Sequence, residues 1–193
     1  MIGSSSSKAA REDAVLLKRM QGGDEEAFVT LYRRFQGPVY RFALRMCGTE
    51  ATAEDVTQEV FLGLIRGLGN FDPNRGTLGS YLYGAARRQV FRYLGANPHE
   101  EPLDDFADGP VVASGAPAVW EALERREMVE RIRQALAAIP AHYREAVVLC
   151  DLEEMPYLEA ASILGCPVGT VRSRLNRARA MLLERLNVER AVA

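Results

Sequence analysis

The stretch CPVGTVRSRLNRARAML, residues 166–182, decides how the C-terminal part of the chain folds. It contains no acidic residue and four arginines, at positions 172, 174, 177 and 179. Placed on a helix at about 100° per residue, its apolar side chains fall on one stripe: Val171, Leu175, Ala178 and Leu182. The pattern therefore predicts an amphipathic helix over residues 168–183 that buries this stripe and presents basic side chains elsewhere.

A shorter helix and a tight turn precede this basic helix. Residues 157–164 form a short amphipathic stretch, Gly165 can supply the turn, and Pro167 stands where the start of a helix tolerates a missing N–H. A helix, a glycine turn and a second helix with arginine and amide side chains are typical of a helix-turn-helix unit that enters the major groove of DNA. A solvated arginine-rich helix face is the alternative that this pattern leaves open.

The side chains of this helix suit DNA because arginine can bind guanine through two hydrogen bonds and asparagine can pair with adenine. Further arginines can bind phosphates and set the position of the helix without reading sequence. The predicted DNA-contacting residues of this helix are Arg172, Ser173, Arg174, Asn176, Arg177 and Arg179.

Composition places the chain among globular proteins: 193 residues, 48% hydrophobic, 26% charged, with a formal net charge of −2. Its three cysteines, Cys47, Cys150 and Cys166, have no metal-ligand or disulfide-framework spacing, so we expect reduced thiols, no metal and no cofactor. No apolar run approaches the roughly 20 residues of a membrane span, and the N-terminus lacks the apolar stretch of a secretory signal. We therefore expect a cytoplasmic protein without membrane insertion.

The helical periodicity extends over almost the whole chain and predicts an all-α fold of two small domains. Residues 1–23 are predicted to be a tail and a first helix, and residues 24–95 a first domain. The segment 96–118 contains four prolines and five acidic residues and no lysine or arginine, which is typical of a flexible linker. Residues 119–193 are the second domain, with the predicted helix-turn-helix.

A second notable pattern is AEDVTQEVFLGLIRGL, residues 53–68, which predicts the third helix. Its core stripe consists of Val56, Val60, Leu64 and Leu68. The opposite side carries Asp55, Gln58, Glu59, Leu62 and Arg66. A solvated face with one exposed leucine is a common arrangement. The alternative is a docking face for a basic partner surface, where complementary charge orients the encounter.

The segment FDPNRGTLGSYLYGAARRQVFRYLG, residues 71–95, interleaves aromatic side chains with arginines and contains one acid, Asp72. Aromatic rings can stack on unpaired bases while arginines bind the backbone of the strand. Most of these rings could instead belong to the core. We predict that some of the set faces nucleic acid.

Together these segments resemble a bacterial extracytoplasmic-function (group IV) RNA polymerase sigma factor. DxxQEVF at Asp55–Phe61, followed by FDPNRGTLGSYLYGAAR, is similar to the first conserved domain of that family. Residues 139–179, IPAHYREAVVLCDLEEMPYLEAASILGCPVGTVRSRLNRAR, are similar to the second. The resemblance implies a sigma region 2-like bundle over 24–95 and a sigma region 4-like helix-turn-helix domain over 119–193.

The resemblance also implies a role for each set of residues. The core polymerase-binding set is Asp55, Gln58, Glu59 and Leu62. The set for the minus-ten promoter element is Arg75, Tyr81, Tyr83, Arg87, Arg88 and Arg92. The arginine helix matches the part that reads the minus-thirty-five element, with Arg172, Ser173 and Asn176 on the reading face and Arg174, Arg177 and Arg179 near phosphates.

A sigma factor of this kind binds core RNA polymerase and directs promoter-specific initiation, and it needs no catalytic group of its own. The implied partners are the β′ clamp helices and β flap of the polymerase, promoter DNA and an anti-sigma factor, with the free chain monomeric. One alternative function is a stand-alone transcription regulator, which would need a dimer and a sensing domain. Another is an anti-regulator that binds polymerase but not DNA, which would not need the arginine helix. An enzyme is disfavoured because His99 and His142 have no carboxylate or cysteine partner at a recognisable spacing.

Overall fold

The computed structural model of the chain describes residues 3–67, 71–73, 76–97 and 121–192. Within these ranges the backbone forms eight α-helices and one π-helical segment, Val148–Leu152, and no strand. The helices are α1 (Gly3–Gln21), α2 (Glu25–Cys47), α3 (Glu50–Arg66), α4 (Leu78–Tyr93), α5 (Glu121–Ala138), α6 (Ala141–Val147), α7 (Tyr157–Leu164) and α8 (Val168–Val192). The predicted all-α fold is confirmed.

The first domain packs α2 against α1, α3 and α4. Asp24 caps α2 by accepting a hydrogen bond from the Ala27 N–H at 3.2 Å. Thr77 caps α4 in the same way, accepting from the Ser80 N–H at 3.0 Å. The fully buried core includes Leu31, Phe42, Met46, Leu64, Leu82, Val90 and Phe91. This core fixes which faces of α3 and α4 remain on the surface.

The second domain contains the predicted helix-turn-helix. Its first helix, α7, has the predicted bounds, and Gly165 ends it in the left-handed region at φ 66°. The Pro167 carbonyl then accepts hydrogen bonds from the N–H groups of Thr170 and Val171, which begins α8. Val171, Leu175 and Ala178 are buried, so the predicted apolar stripe of α8 does face the core.

The two domains pack against each other. One continuous cluster of buried apolar side chains joins the first-domain core to Val148, Leu149, Ile163, Leu164 and Val171 of the second domain. A second cluster lies entirely within the second domain, around Leu136, Ile139 and Leu175. The sequence predicted two modules, and the structure adds an extensive contact between them.

Helix bounds differ from the predicted ones at three places. α3 begins three residues before the predicted Ala53 and ends two residues before Leu68. α8 continues to Val192, beyond the predicted 183. Most of the predicted linker, residues 98–118, lies outside the described residues, and so does Arg75. No helix in the described part of the chain is both long and apolar enough to cross a membrane.

Candidate functional site

The exposed face of α3 carries the side chains that the sequence singled out. Asp55, Gln58 and Glu59 are exposed, and Leu62 is half-buried. Ile65, one turn from Leu62, remains 44% exposed although it is a large apolar residue. The face therefore combines carboxylates with apolar surface, as a protein-docking site does.

An aromatic groove runs along one side of this face. It encloses about 700 Å³ between α2 and α3. Its lining includes Phe28, Tyr32, Tyr40, Phe61 and, from the predicted docking set, Gln58 and Leu62. The Tyr32 ring meets the Phe61 ring edge-on at 4.8 Å between centroids, so the floor of the groove is held by aromatic packing.

A smaller and more polar pocket of about 250 Å³ lies between α3 and α4. Asp55 and Glu59 line it from α3, while Gln89 and Arg92 line it from α4. The Gln89 side-chain oxygen Oε1 is buried and accepts no hydrogen bond from the described residues. The predicted polymerase-binding residues thus lie on a ridge between an aromatic groove and a polar pocket.

The predicted minus-ten residues of α4 separate into an outer and an inner group. Arg88 and Arg92 are exposed. Tyr81 is half-buried, with its ring edge-on to Phe71 at 5.6 Å. Tyr83 and Arg87 are buried, at 8% and 5% exposure, and both face the second domain.

Tyr83 donates a hydrogen bond from its hydroxyl to Glu153 Oε2 at 3.0 Å. Burial, and then the adjacent Glu153 carboxylate, raise the pKa of the Tyr83 phenol, so the hydroxyl keeps the proton that it donates. The same carboxylate forms ion pairs with Arg41 and Arg45 of α2. Tyr83 is therefore held in a polar network between the domains.

Arg87 binds Glu145 of α6 through two hydrogen bonds, Nε to Oε2 at 2.6 Å and Nη2 to Oε1 at 3.1 Å. Its guanidinium also lies over the Phe91 ring, 5.0 Å from the centroid. Glu145 is completely buried. A buried carboxylate requires such paired donors, because an isolated buried charge is strongly unfavourable.

On α8, three of the predicted reading residues are exposed: Arg172, Ser173 and Asn176. The Arg172 guanidinium lies over the Tyr157 ring of α7, 6.0 Å from its centroid. This contact helps to fix the direction in which the Arg172 side chain points. Arg179 is exposed and forms two hydrogen bonds with Asp151, at 2.9 and 2.6 Å. These bonds raise the pKa of the Arg179 guanidinium.

The remaining two arginines of the predicted set are less exposed to solvent. Arg177 is half-buried. Arg174 is 8% exposed, and its Nη1 atom lies 3.5 Å from Glu145 Oε1. The structure thus places Arg174 and Arg87, which were predicted to contact different promoter elements, on the same carboxylate.

Sequence reasoning missed the residues that connect the domains: Arg144, Glu145, Glu153 and Glu159. Arg144 donates hydrogen bonds to the carbonyl oxygens of Met46, Ala137 and Ile139, which joins the ends of α2 and α5. Charged residues are seldom fully buried unless they are paired, and the partners of these four residues lie on other elements, so no local sequence pattern marked them.

Comparison with known families and proteins covers both domains. The family profile of Sigma-70 region 2 matches residues 31–97, and that of Sigma-70, region 4 matches residues 129–182. These ranges contain α3, α4, α7 and the first part of α8, on which the candidate faces lie.

Among characterised proteins, the RNA polymerase sigma-H factor of Pseudomonas aeruginosa is 32% identical over 177 residues, which is 87% of this chain and 90% of that protein. The ECF RNA polymerase sigma-E factor of Escherichia coli K12 is 34% identical over 176 residues, 86% of this chain and 90% of its own length.

Two solved structures share the fold over most of the chain. CnrH in complex with the cytosolic domain of CnrY has a TM-score of 0.68 at 25% identity and covers 92% of this chain and 98% of its own. The sigma factor RpoE of Bartonella quintana, in complex with the anti-sigma factor NepR, has a TM-score of 0.62 at 26% identity, with coverages of 83% and 97%. The chain therefore belongs to the ECF family of RNA polymerase sigma factors, the proteins that direct promoter-specific initiation of transcription.

Proposed function

We propose that this sigma factor uses three separate helix faces, with α3 binding core RNA polymerase, α4 binding the minus-ten element and α8 binding the minus-thirty-five element. The observation that carries the proposal is the segregation of charge on the exposed faces. Asp55 and Glu59 give α3 an acidic face, whereas the exposed side chains of α4 and α8 include Arg88, Arg92 and Arg172. An acidic face suits a basic protein surface, and basic faces suit phosphate.

The α3 face supports polymerase docking through its shape as well as its charge. Carboxylates at the centre of the ridge can pair with basic side chains of the clamp helices of β′. The flanking aromatic groove offers Leu62 and Ile65, together with tyrosine and phenylalanine rings, for apolar burial. Such a combination of apolar surface with charged neighbours is common at specific protein interfaces.

The α4 face supports capture of a separated promoter strand. Tyr81 presents a half-buried ring, and the exposed Arg88 and Arg92 can bind the strand backbone beside it. Stacking of bases on aromatic rings contributes about 1–3 kcal/mol per base, which offsets the few kcal/mol needed to unstack each one. Arg75 completes this predicted set.

The α8 face supports duplex recognition by a helix-turn-helix. Arg172, Ser173 and Asn176 share the exposed side that a recognition helix turns toward base edges. Arg177 and Arg179 follow this reading face within the next turn of α8, where they could bind flanking phosphates. The polymerase supplies the chemistry of RNA synthesis, so the proposed role of this chain is binding and not catalysis.

An anti-sigma factor and the β flap complete the proposed partners. The Bartonella relative was solved with the anti-sigma factor NepR, and we extend this kind of partner to the present chain. The second domain would meet the β flap once α3 has docked on the clamp. Transcription takes place in the bacterial cytoplasm, which is the proposed location, and the free chain is proposed to be a monomer.

Run-off transcription with purified core polymerase and a promoter library tests the proposal. Charge reversal by Asp55→Lys with Glu59→Lys should weaken polymerase binding and abolish run-off product, while circular dichroism remains that of a folded protein. Glu130→Lys with Glu184→Lys, which reverses two exposed acids of the second domain, makes the same change in net charge and should leave polymerase affinity unchanged. Unaltered affinity of the α3 variant would show that the docking face lies elsewhere.

A further inference from the structure

Asp151 lies beside Arg179 on the proposed DNA-binding side of α8. It belongs to the π-helical segment Val148–Leu152, and its carboxylate accepts two hydrogen bonds from Arg179, Nε to Oδ2 at 2.9 Å and Nη2 to Oδ1 at 2.6 Å. A negative charge close to a DNA-binding surface repels phosphate. Asp151 can therefore favour DNA binding only through its effect on Arg179.

The π-helical segment sets the position of Asp151. The Glu153 N–H donates to the Val148 carbonyl at 2.9 Å, which closes the wide turn of a π-helix. The α6 residues 142–147 are buried, whereas Asp151 is exposed and contacts α8, 28 residues away along the chain. π-Helical turns are rare and are frequently found at functional sites. This turn therefore places a carboxylate against the arginine-rich part of α8.

The two hydrogen bonds occupy one edge of the Arg179 guanidinium. This group carries five N–H donors in a planar fork, and Asp151 uses the edge between Nε and Nη2. The edge between the two Nη atoms is not used by Asp151. A guanidinium binds a phosphate through two parallel hydrogen bonds from such an edge. The Arg179 side chain is 44% exposed, so a phosphate of bound DNA can reach it.

Tyr157 of α7 is a second side chain that supports this surface. The Arg172 guanidinium lies over its ring, 6.0 Å from the centroid. The hydrogen bonds with Asp151 are the main cause of the raised pKa of Arg179, and the Tyr157 phenol contributes in the same direction. Arg172 and Arg179 are about two helical turns apart, so they lie on the same side of α8. Both arginines thus interact with side chains from outside their own helix.

We propose that Asp151 is a positioning residue for promoter binding: it holds Arg179 by the Nε edge, so that the other edge binds a phosphate beside the minus-thirty-five element. This inference rests on the proposed function, in which α8 binds that element. Ordering a long side chain opposes binding, and an arginine that is already held in place avoids most of this entropic cost. Asp151 therefore strengthens DNA binding although its own charge opposes it.

The test compares two substitutions that remove the same charge. Asp151→Asn loses the carboxylate that holds Arg179, and Glu154→Gln loses the carboxylate of an exposed glutamate nearby in the chain. Each chain is assembled with core polymerase, and fluorescence anisotropy measures binding of the holoenzyme to a promoter duplex selected from the run-off library. Thermal denaturation of the free chains controls for folding, which should be unaffected because exposed ion pairs contribute little to stability.

Asp151→Asn should bind the promoter about two- to tenfold more weakly than Glu154→Gln, which corresponds to the ordering cost of one long side chain. Asp151→Glu, which keeps a carboxylate, should recover most of this loss. Arg179→Ala should lower the slope of log affinity against log salt by about 0.9, as expected for one lost phosphate contact. In the Arg179→Ala background, Asp151→Asn and Glu154→Gln should bind equally, because Asp151 acts only through Arg179.

Three results would overturn the inference. Asp151→Asn binding as tightly as Glu154→Gln, or more tightly, would make Asp151 a bystander or a competitor of phosphate. An Asp151→Asn effect that persists without Arg179 would mean that Asp151 acts through another group. An unchanged salt slope in Arg179→Ala would remove the phosphate contact on which the inference depends.

Failure of the proposed function gives a different result. In that case the wild-type holoenzyme selects no promoter from the library, and both proposals are wrong. Failure of this inference alone leaves a wild-type holoenzyme that selects a promoter and an Asp151→Asn holoenzyme that binds it no more weakly than the Glu154→Gln control.

Discussion

Replacing Arg144 with methionine should destabilise the protein strongly although the residue touches no proposed ligand. Arg144 is 8% exposed and donates to three backbone carbonyls, with distances of 2.6 Å to Ala137 and 3.0 Å to Ile139. The third acceptor, Met46, lies in the last turn of α2, where carbonyl groups have no partner within the helix. One side chain therefore satisfies the ends of two helices from different domains.

The magnitude follows from these three bonds. Each buried carbonyl left without a donor costs about 1–3 kcal/mol, so the gross loss is about 3–9 kcal/mol. Burial of the guanidinium is itself unfavourable, which is why it lowers the pKa of Arg144, and methionine removes that penalty while retaining apolar contact. We expect a net decrease of about 3–5 kcal/mol in the free energy of unfolding, as for other broken buried charge networks.

Urea denaturation followed by circular dichroism measures this decrease against a matched control. Arg133→Met alters an arginine of α5 whose side chain is 41% exposed and pairs with Glu130 at 3.4 Å, and it should change stability by less than about 0.5 kcal/mol. An Arg144→Met protein within about 1 kcal/mol of the Arg133→Met protein would refute the argument that the three carbonyls depend on this side chain.

Other features of the structure lead to three shorter predictions. Gly165→Ala should lower stability by about 1 kcal/mol because φ is 66° at this position. Gly63→Ala lies in a helix with open space around the site and should raise stability by up to about 1 kcal/mol. Thermal denaturation should therefore show a lower melting temperature for the first variant and a higher one for the second. Burial raises the pKa of the Cys47 and Cys150 thiols to about 11, so both should remain protonated at about pH 8 and react slowly with iodoacetamide. Mass spectrometry should show rapid labelling of these two thiols only after denaturation in urea. Arg172→Ala should reduce discrimination at one base pair of the minus-thirty-five element by about 1–3 kcal/mol. Competition between promoter variants in run-off transcription measures this loss. An equal loss of binding on all promoter sequences would indicate a phosphate contact instead.

The sequence alone predicted the helices and the family because both depend on local patterns. The apolar stripe of α8 follows from helical periodicity, and Gly165 and Asp24 mark helix ends through backbone geometry and capping that act within a few residues. The exposed ridge of α3 could be read in the same way, since a helix with one apolar stripe leaves its opposite face on the surface. The DxxQEVF and arginine-helix motifs then sufficed to suggest an ECF sigma factor.

Only the tertiary structure decided which of the arginines and tyrosines are available to a ligand. Arg87 and Arg88 are adjacent in sequence and equally basic, yet one is buried on Glu145, 58 residues away, and the other is exposed. The burial of a charge depends on whether a partner from another element reaches it, and such long-range pairing leaves no periodic trace in the sequence. For the same reason the contact between the domains became visible only when the chain was folded.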